Sequence, residues 1–380
     1  MAHGLNSRQL RVLAVTPDFP PAIGGIQLLF HRVLKNARHL RTRVVTIAPP
    51  REKRLGASDD NVVRSRRMRD HRVDVLLMNG LAIQEAYRFR PDLVFSSHIV
   101  CTPAATAISR LFGVPTVLYV HGSEVAASPI LARFGLRNSS VVIAVSRYAR
   151  SLALAAGARQ SQIHVIPPGV DSVEPSGVLR RETPTIITVA RLEERYKGHD
   201  TMVRALPLIR ARIPRVEWVV IGDGQLREEI AELADANGVG RSVVMLGSVS
   251  DAERNAWFDS AHVFAMPSRL PAGQAAGEGF GIVYLEAGVH GLPVVAGNAG
   301  GAIDAVVHGE TGLLVDPTSN LAVADAITEL LLDRKLAARM GRSGEHRAQQ
   351  FSWPAISARV EELLQSVAGR APQTRQAAAG

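Results

Sequence analysis

The stretch TIITVARLEERYKGHDTMVRALPLIRARIPRVEWVVI, residues 185–221, decides the fold. It opens with an apolar, β-branched run of strand length at 185–189, and passes through a charged loop to Lys197-Gly198. A segment of helical period follows at 201–213, and a second apolar run at 217–221 closes the unit. Strand, helix and strand in this order is how one βα unit of a parallel sheet reads.

The same alternation extends in both directions. Strands are expected at 11–16, 43–47, 93–96, 116–119, 141–145 and 164–166, with helices at 27–40, 74–87 and 103–112 between them. Downstream, strands are expected at 243–246, 263–265, 293–296 and 312–315, with helices at 225–237, 251–260, 283–289 and 321–332. The pattern pauses at Pro167-Pro168-Gly169 and at Glu174-Pro175-Ser176-Gly177, a prolyl and glycyl interruption suited to an interdomain linker. The expectation is an α/β protein of two Rossmann-like domains facing across a cleft, 1–172 and 173–352. A last helix is expected at 353–367, crossing back to the first domain, and a disordered tail at 368–380.

A chain of 380 residues is longer than one core usually serves, in agreement. Hydrophobic content of 46% with 21% charged residues argues against disorder. Neither a membrane span nor a secretory apolar core is recognisable in the sequence, and the lone Cys101 excludes an intramolecular disulfide and a cysteine-cluster metal site, so the cytoplasm is expected. The net charge of +9 is unevenly spread, at +13 over residues 1–172 and −4 over 173–380. A one-sided basic excess fits an acidic partner: nucleic acid, an anionic membrane surface or a phosphorylated substrate. Its densest run, Arg64, Arg66, Arg67, Arg69 and Arg72, reads equally as a solvated loop; Met68 and Val62-Val63 add weight to a membrane, and the lack of aromatics counts against single strands. No helix-turn-helix, RRM or zinc pattern supports nucleic-acid binding.

Three groups of residues carry candidate chemistry. Gly24-Gly25 follows the first strand, where two residues without a Cβ let backbone amides approach a phosphate, although a tight turn with no ligand is the commoner explanation of such a pair. Arg191 and Lys197 emerge after the strand at 185–189, one able to fork two phosphate oxygens and the other to act as a point charge. Glu278 and Glu286 stand eight positions apart around Gly279-Phe280-Gly281, one in a loop and one inside a helix starting near Ile282. Carboxylates repel a diphosphate and accept hydrogen bonds from sugar hydroxyls, so a sugar is the better partner.

This wording, with Gly24-Gly25, His121-Gly122-Ser123-Glu124, Pro168-Gly169-Val170-Asp171, Arg191 to Lys197-Gly198, Gly222-Asp223-Gly224 and Gly300-Gly301 in order, resembles the retaining family-4 glycosyltransferases of the GT-B fold. Among these it is similar to the bacterial phosphatidylinositol-mannoside mannosyltransferases. The resemblance implies hexose transfer from a nucleotide diphosphate sugar, a substrate and not a cofactor, to a lipid-linked or cell-envelope acceptor, without a metal. GDP-mannose is the first expectation for the donor, with a UDP-hexose and a soluble acceptor as the alternative. It also implies roles. Arg191 and Lys197 bind the diphosphate, the Gly24-Gly25 loop closes over it, and the Gly281 and Ile282 amides meet phosphate. Glu278 contacts donor hydroxyls, Glu286 the ribose, and His121 the sugar near the reacting carbon. A base-reading role for Asp251 or Glu253 competes with helix capping, which is the better account. The basic first half suggests a peripheral encounter with the inner face of the cell membrane.

Overall fold

The computed structural model describes residues 9–21, 25–49, 60–68, 70–174, 176–271 and 277–370. The chain divides into two compact units, Met1–Pro168 together with Trp353–Gly380, and Gly169–Ser352.

In the first unit the order is β1 (Leu10–Val15), α1 (Gly25–Asn36), β2 (Leu40–Ile47), β3 (Val62–Ser65), α2 (His71–Phe89), β4 (Leu93–Ser96), α3 (Thr102–Phe112) and β5 (Thr116–Val120). Then come α4 (Ser123–Ala127), α5 (Pro129–Asn138), β6 (Val141–Ala144), α6 (Arg147–Ala155) and β7 (Ile163–Val165). The strands form one parallel sheet, β3-β2-β1-β4-β5-β6-β7. Strand order reverses at β1 and β4, and ligands of open α/β sheets collect beyond the carboxyl ends of the strands at such a point. The central strands are apolar throughout because helices cover both faces, so Val12 to Val15 and Val117 to Val120 are fully buried.

The second unit contains β8 (Thr185–Val189), α7 (His199–Arg212), β9 (Glu217–Ile221), α8 (Arg227–Ala236), β10 (Val243–Gly247), α9 (Asp251–Ser260) and β11 (Val263–Met266). It continues with α10 (Ile282–Val289), β12 (Val294–Gly297), α11 (Ala302–Ala305), β13 (Gly312–Val315), α12 (Asn320–Leu332) and α13 (Arg334–Gln349). Its parallel sheet runs β10-β9-β8-β11-β12-β13, with the reversal at β8 and β11. Trp218 on β9 is fully buried, and its indole N–H finds the Thr188 hydroxyl at 2.9 Å, satisfying the one polar atom of the largest core side chain.

The last helix, α14 (Trp353–Gly369), belongs to the first unit, where it packs on α1. Its buried Glu361 accepts from the amides of Arg38 (3.2 Å) and His39 (2.7 Å), the turn between α1 and β2. Leu40 begins β2 and not the end of α1, because the chain turns early to reach this carboxylate. Ala368 and Gly369, expected in a tail, are still helical; residues 371–380 lie outside the described residues, as do Gly24, Arg69 and Pro175.

The basic run is a correction to the loop reading. Val62 to Ser65 form the edge strand β3, and Arg64 donates to the Pro20 carbonyl at 2.7 Å. Arg66, Arg67 and Met68 follow as an exposed loop, held where the Asp74 carboxylate accepts from the Met68 amide.

Candidate active site

Two loops meet where the strand order reverses in the second unit. The first leaves β8 through Arg191 and ends in a single 3-10 turn, Arg195–Lys197, ahead of α7. Gly198 joins turn to helix at φ +82°, and a Cβ there would lie 2.2 Å from the Pro267 carbonyl oxygen, so glycine is what lets this loop rest against the end of β11. Beyond β11 the Arg269 amide donates to the Tyr196 carbonyl (2.8 Å), and its guanidinium grips the Asp200 carboxylate at 2.8 and 3.1 Å. The second loop, residues 277–281, leads into α10. Tyr284 on that helix donates to the Met266 carbonyl and shares a 2.9 Å hydrogen bond with the Ser268 hydroxyl, pinning the start of α10 to the end of β11.

These constraints bring Lys197 to Glu278. The ammonium lies 2.5 Å from the carboxylate, with the two side chains 14% and 12% exposed. Burial works against the charged lysine, but Glu278 chiefly outweighs it, so the Lys197 pKa stands above its ordinary value. The Glu278 loop is fixed from behind: the Gly301 amide donates to the Glu278 carbonyl at 2.7 Å, and a Cβ on Gly301 would stand 2.1 Å from the Gly279 carbonyl oxygen. Gly281, at φ +86°, caps α10 without any side chain bonding to the first amides, and Ile282 is the first helical residue. The positive end of the helix therefore faces the same corner uncapped.

Arg191 and Glu286 stand apart from that pair. Arg191 is 64% exposed and donates to its own loop, to Glu193 at 3.3 Å and Glu194 at 2.5 Å. Glu286 is half-buried one turn along α10; burial raises its pKa, the charge of Arg254 lowers it, and Asp171 and Asp251 raise it further. The two carboxylates of the motif thus have separate surroundings. The capping competition resolves on a third residue: Ser250 accepts from the Glu253 amide at 3.2 Å, leaving Asp251 and Glu253 as first-turn acids of α9.

In the first unit His121 follows β5 and is buried, stacked on Tyr119 with centroids 5.5 Å apart. Its Nε2 lies 2.9 Å from the Ser97 carbonyl oxygen. A carbonyl only accepts, so the proton is on Nε2, and Nδ1 keeps a lone pair when the ring is neutral. Gly25 opens α1 beyond the β1 end. The role of Arg269 was not legible from spacing, because its partners Tyr196 and Asp200 come from the loop and helix after β8, far away in the chain; those of Ser268 and Tyr284 emerge only when β11 and α10 are packed together.

Residues 23–174 match the family described as Glycosyltransferase Family 4, and residues 172–347 the family Glycosyl transferases group 1. A GDP-mannose-dependent alpha-(1-6)-phosphatidylinositol monomannoside mannosyltransferase of Mycobacterium tuberculosis is 36% identical over 377 residues, spanning 93% of this chain and 98% of that protein. The chain belongs to the family-4 glycosyltransferases. The relative of the same description from Mycolicibacterium smegmatis is 34% identical, again across 93% of this chain and 98% of its own length. Among solved structures, sucrose-phosphate synthase from Thermosynechococcus elongatus superimposes with a TM-score of 0.80 at 19% identity, covering 94% of this chain and 99% of that one. Anabaena Alr3699/HepE, solved with UDP and glucose, gives 0.77 at 23% identity, covering 94% and 100%. The glycosyltransferase therefore has the GT-B fold, two parallel-sheet α/β units in series.

Proposed function

We propose that this glycosyltransferase moves mannose from GDP-mannose to a phosphatidylinositol-mannoside-type acceptor, with the anomeric configuration retained. The observation that carries the reading is identity of 36% over nearly the whole of both chains to a GDP-mannose-dependent enzyme of that kind. The geometry of the second unit supports it. A cation and a carboxylate side by side at an uncapped helix start suit a sugar diphosphate, whose phosphates take Lys197 and the Gly281 and Ile282 amides while sugar hydroxyls donate to Glu278. Arg191 would exchange its exposed partners Glu193 and Glu194 for phosphate, and Glu286 would accept from the ribose. His121 would offer its Nδ1 lone pair to a sugar hydroxyl, and backbone amides of Gly24 and Gly25 would meet the phosphates.

In the reaction so read, the bond from the anomeric carbon to the diphosphate breaks while the acceptor oxygen bonds to that carbon on the same face. The acceptor proton passes to the departing phosphate oxygen. Charge grows on the diphosphate, where Lys197, the α10 dipole and, once it has left Glu193 and Glu194, Arg191 would meet it, so electrostatic stabilisation would supply much of the rate. No cofactor is assigned; among the described residues no group of three or more His, Cys, Asp or Glu is arranged to hold a metal ion. Nor, among those residues, is any helix long and apolar enough to cross a membrane. The proposed place of work is the cytoplasmic face of an anionic membrane, met peripherally through the basic first unit.

A thermal-shift panel of GDP-mannose, UDP-glucose, UDP-galactose and UDP-GlcNAc tests the donor, since stabilisation follows ligand concentration relative to its dissociation constant. GDP-mannose should stand apart and be turned over with phosphatidylinositol monomannoside to an α-linked product. Turnover confined to a UDP-hexose, or a β-linked product, would overturn the proposal.

A further inference from the structure

Helix α5 carries more apolar surface than its own packing uses. Its inner face is complete: Ala132 and Leu136 are fully buried, and a Cβ on Gly135 would stand 2.7 Å from the Thr102 side chain, so α5 lies close against the start of α3. Ile130 and Phe134, one turn apart, point outward and are 89% and 38% exposed. With Pro103, Ser128, Pro129 and Leu131 they line an open groove of about 590 Å³. Arg133 and Arg137 form a parallel stripe, both exposed, that runs beside Gly157, where a Cβ would stand 3.9 and 3.8 Å from them. The charge of this stretch has one sign. Residues 125–170 contain no Asp or Glu and five Arg, at 133, 137, 147, 150 and 159. An exposed apolar stripe beside arginines, on a helix without acids, is the composition of a helix that lies in a membrane interface. Position agrees: the groove sits at the first turns of α3 and α5, helices that follow the carboxyl ends of β4 and β5.

We infer that the groove between α3 and α5 is a docking surface for an anionic bilayer, with Ile130 and Phe134 inserted among the acyl chains and Arg133 and Arg137 at the headgroup phosphates. Charge complementarity selects an anionic partner, and the groove decides between anions. A nucleic acid would engage the arginines and leave Ile130 in water, whereas a bilayer takes both stripes at once. This rests on the proposed work at an anionic membrane. It adds an apolar contact, on a helix separate from the arginine run at 64–72, and therefore a part of the binding that salt does not screen.

Flotation of the full chain with phosphatidylcholine vesicles, with and without phosphatidylglycerol, tests this at low and high salt. The wild type should bind the anionic vesicles, lose much of that binding at high salt and keep the rest. Ile130→Ser with Phe134→Ser should lower the partition coefficient at least tenfold at both salt levels, because burying one large apolar side chain is worth a factor of that order. Arg133→Ser with Arg137→Ser should lower it at least tenfold at low salt only. Both pairs should keep the wild-type thermal shift with GDP-mannose. A dye on Ile130→Cys gives a second readout, independent of binding strength, since the native Cys101 is fully buried. Its emission should shift to the blue on anionic vesicles, and a dye on the exposed Leu179→Cys of the second unit should not. Unchanged partition in the Ile130 and Phe134 variant, binding abolished by salt, or a dye at 130 that stays in water on bound protein overturns the surface; so does a blue shift with single-stranded DNA and none with vesicles. Transfer from GDP-mannose with no dye shift would refute the surface and leave the proposed reaction standing. Insertion without transfer from any GDP- or UDP-sugar would support the surface and refute the reaction instead.

Discussion

Replacing Lys197 by Met tests the centre of the second unit most directly. At 2.5 Å the attraction between Lys197 and Glu278 is about 7 kcal/mol at an effective dielectric of ~20, set against a desolvation cost of several kcal/mol for each ion. The net worth of the pair is thus small, but removal of one partner leaves the other charge buried, which costs about 3–5 kcal/mol. Lys197→Met should lower the unfolding free energy by that amount in urea titration, with Glu278→Gln similar. The double variant should recover at least half of the loss, because no uncompensated charge remains. Activity should behave otherwise. All three variants should lose about 10²–10³ in kcat, the effect of removing one preorganised group from a developing anion, and the double variant should recover none of it. Recovery of turnover together with stability would show that the pair only holds the loop together; near-normal turnover in Lys197→Met would refute the assigned role outright.

Three further outcomes are expected. Gly301→Ala places a Cβ 2.1 Å from the Gly279 carbonyl oxygen and should shift the Glu278 loop, costing about 2–3 kcal/mol in urea unfolding and lowering kcat; wild-type values for both would show the contact relaxes freely. His199 is pushed down to about 4, first by burial and then by Lys197, so the folded state keeps it neutral where the unfolded chain binds a proton below its ordinary 6.5. Stability of the second unit should accordingly fall as pH drops from about 6.5 to 4, by about 3 kcal/mol from this residue, and His199→Phe should flatten that slope by about one proton; an unaltered slope would contradict it. Glu361→Ala removes the acceptor of two backbone amides between α1 and β2 and should cost the first unit about 2 kcal/mol, read from its urea midpoint, whereas a change below 0.5 kcal/mol would mean that water replaces the carboxylate.

Most of the scaffold was legible because a buried parallel strand has no polar face to confuse its reading. The expected strand at 312–315 and the helix at 251–260 match β13 and α9 residue for residue. Elements were missed where tertiary partners override local signals. β3 hides in the arginine run because an edge strand tolerates charge and Arg64 donates to the Pro20 carbonyl, 44 residues away. α13 carries Gly341 and Gly344, poor helix formers. They are explained only by packing, since a Cβ on Gly341 would stand 2.0 Å from the Gly291 carbonyl oxygen, and one on Gly344 would stand 3.3 Å from the Gly288 Cα.

The site divides along the same line. That Arg191 and Lys197 emerge at the carboxyl end of β8 follows from the strand pattern alone, since a charged loop after an apolar run has nowhere else to go. Which of the two meets Glu278 does not. Lys197 reaches it because Gly198 removes the one side chain that would push the loop off Pro267, and because Arg269 ties Tyr196 and Asp200 on either side of the lysine. Arg191, one residue before the buried Leu192, is left on the open side with its own glutamates. Close approach of the loops is thus fixed by glycines and by one arginine clamp, neither of which carries charge to the ligand. A substitution at Gly198 should therefore impair donor use as severely as one at Lys197 while leaving every charged residue of the site in place.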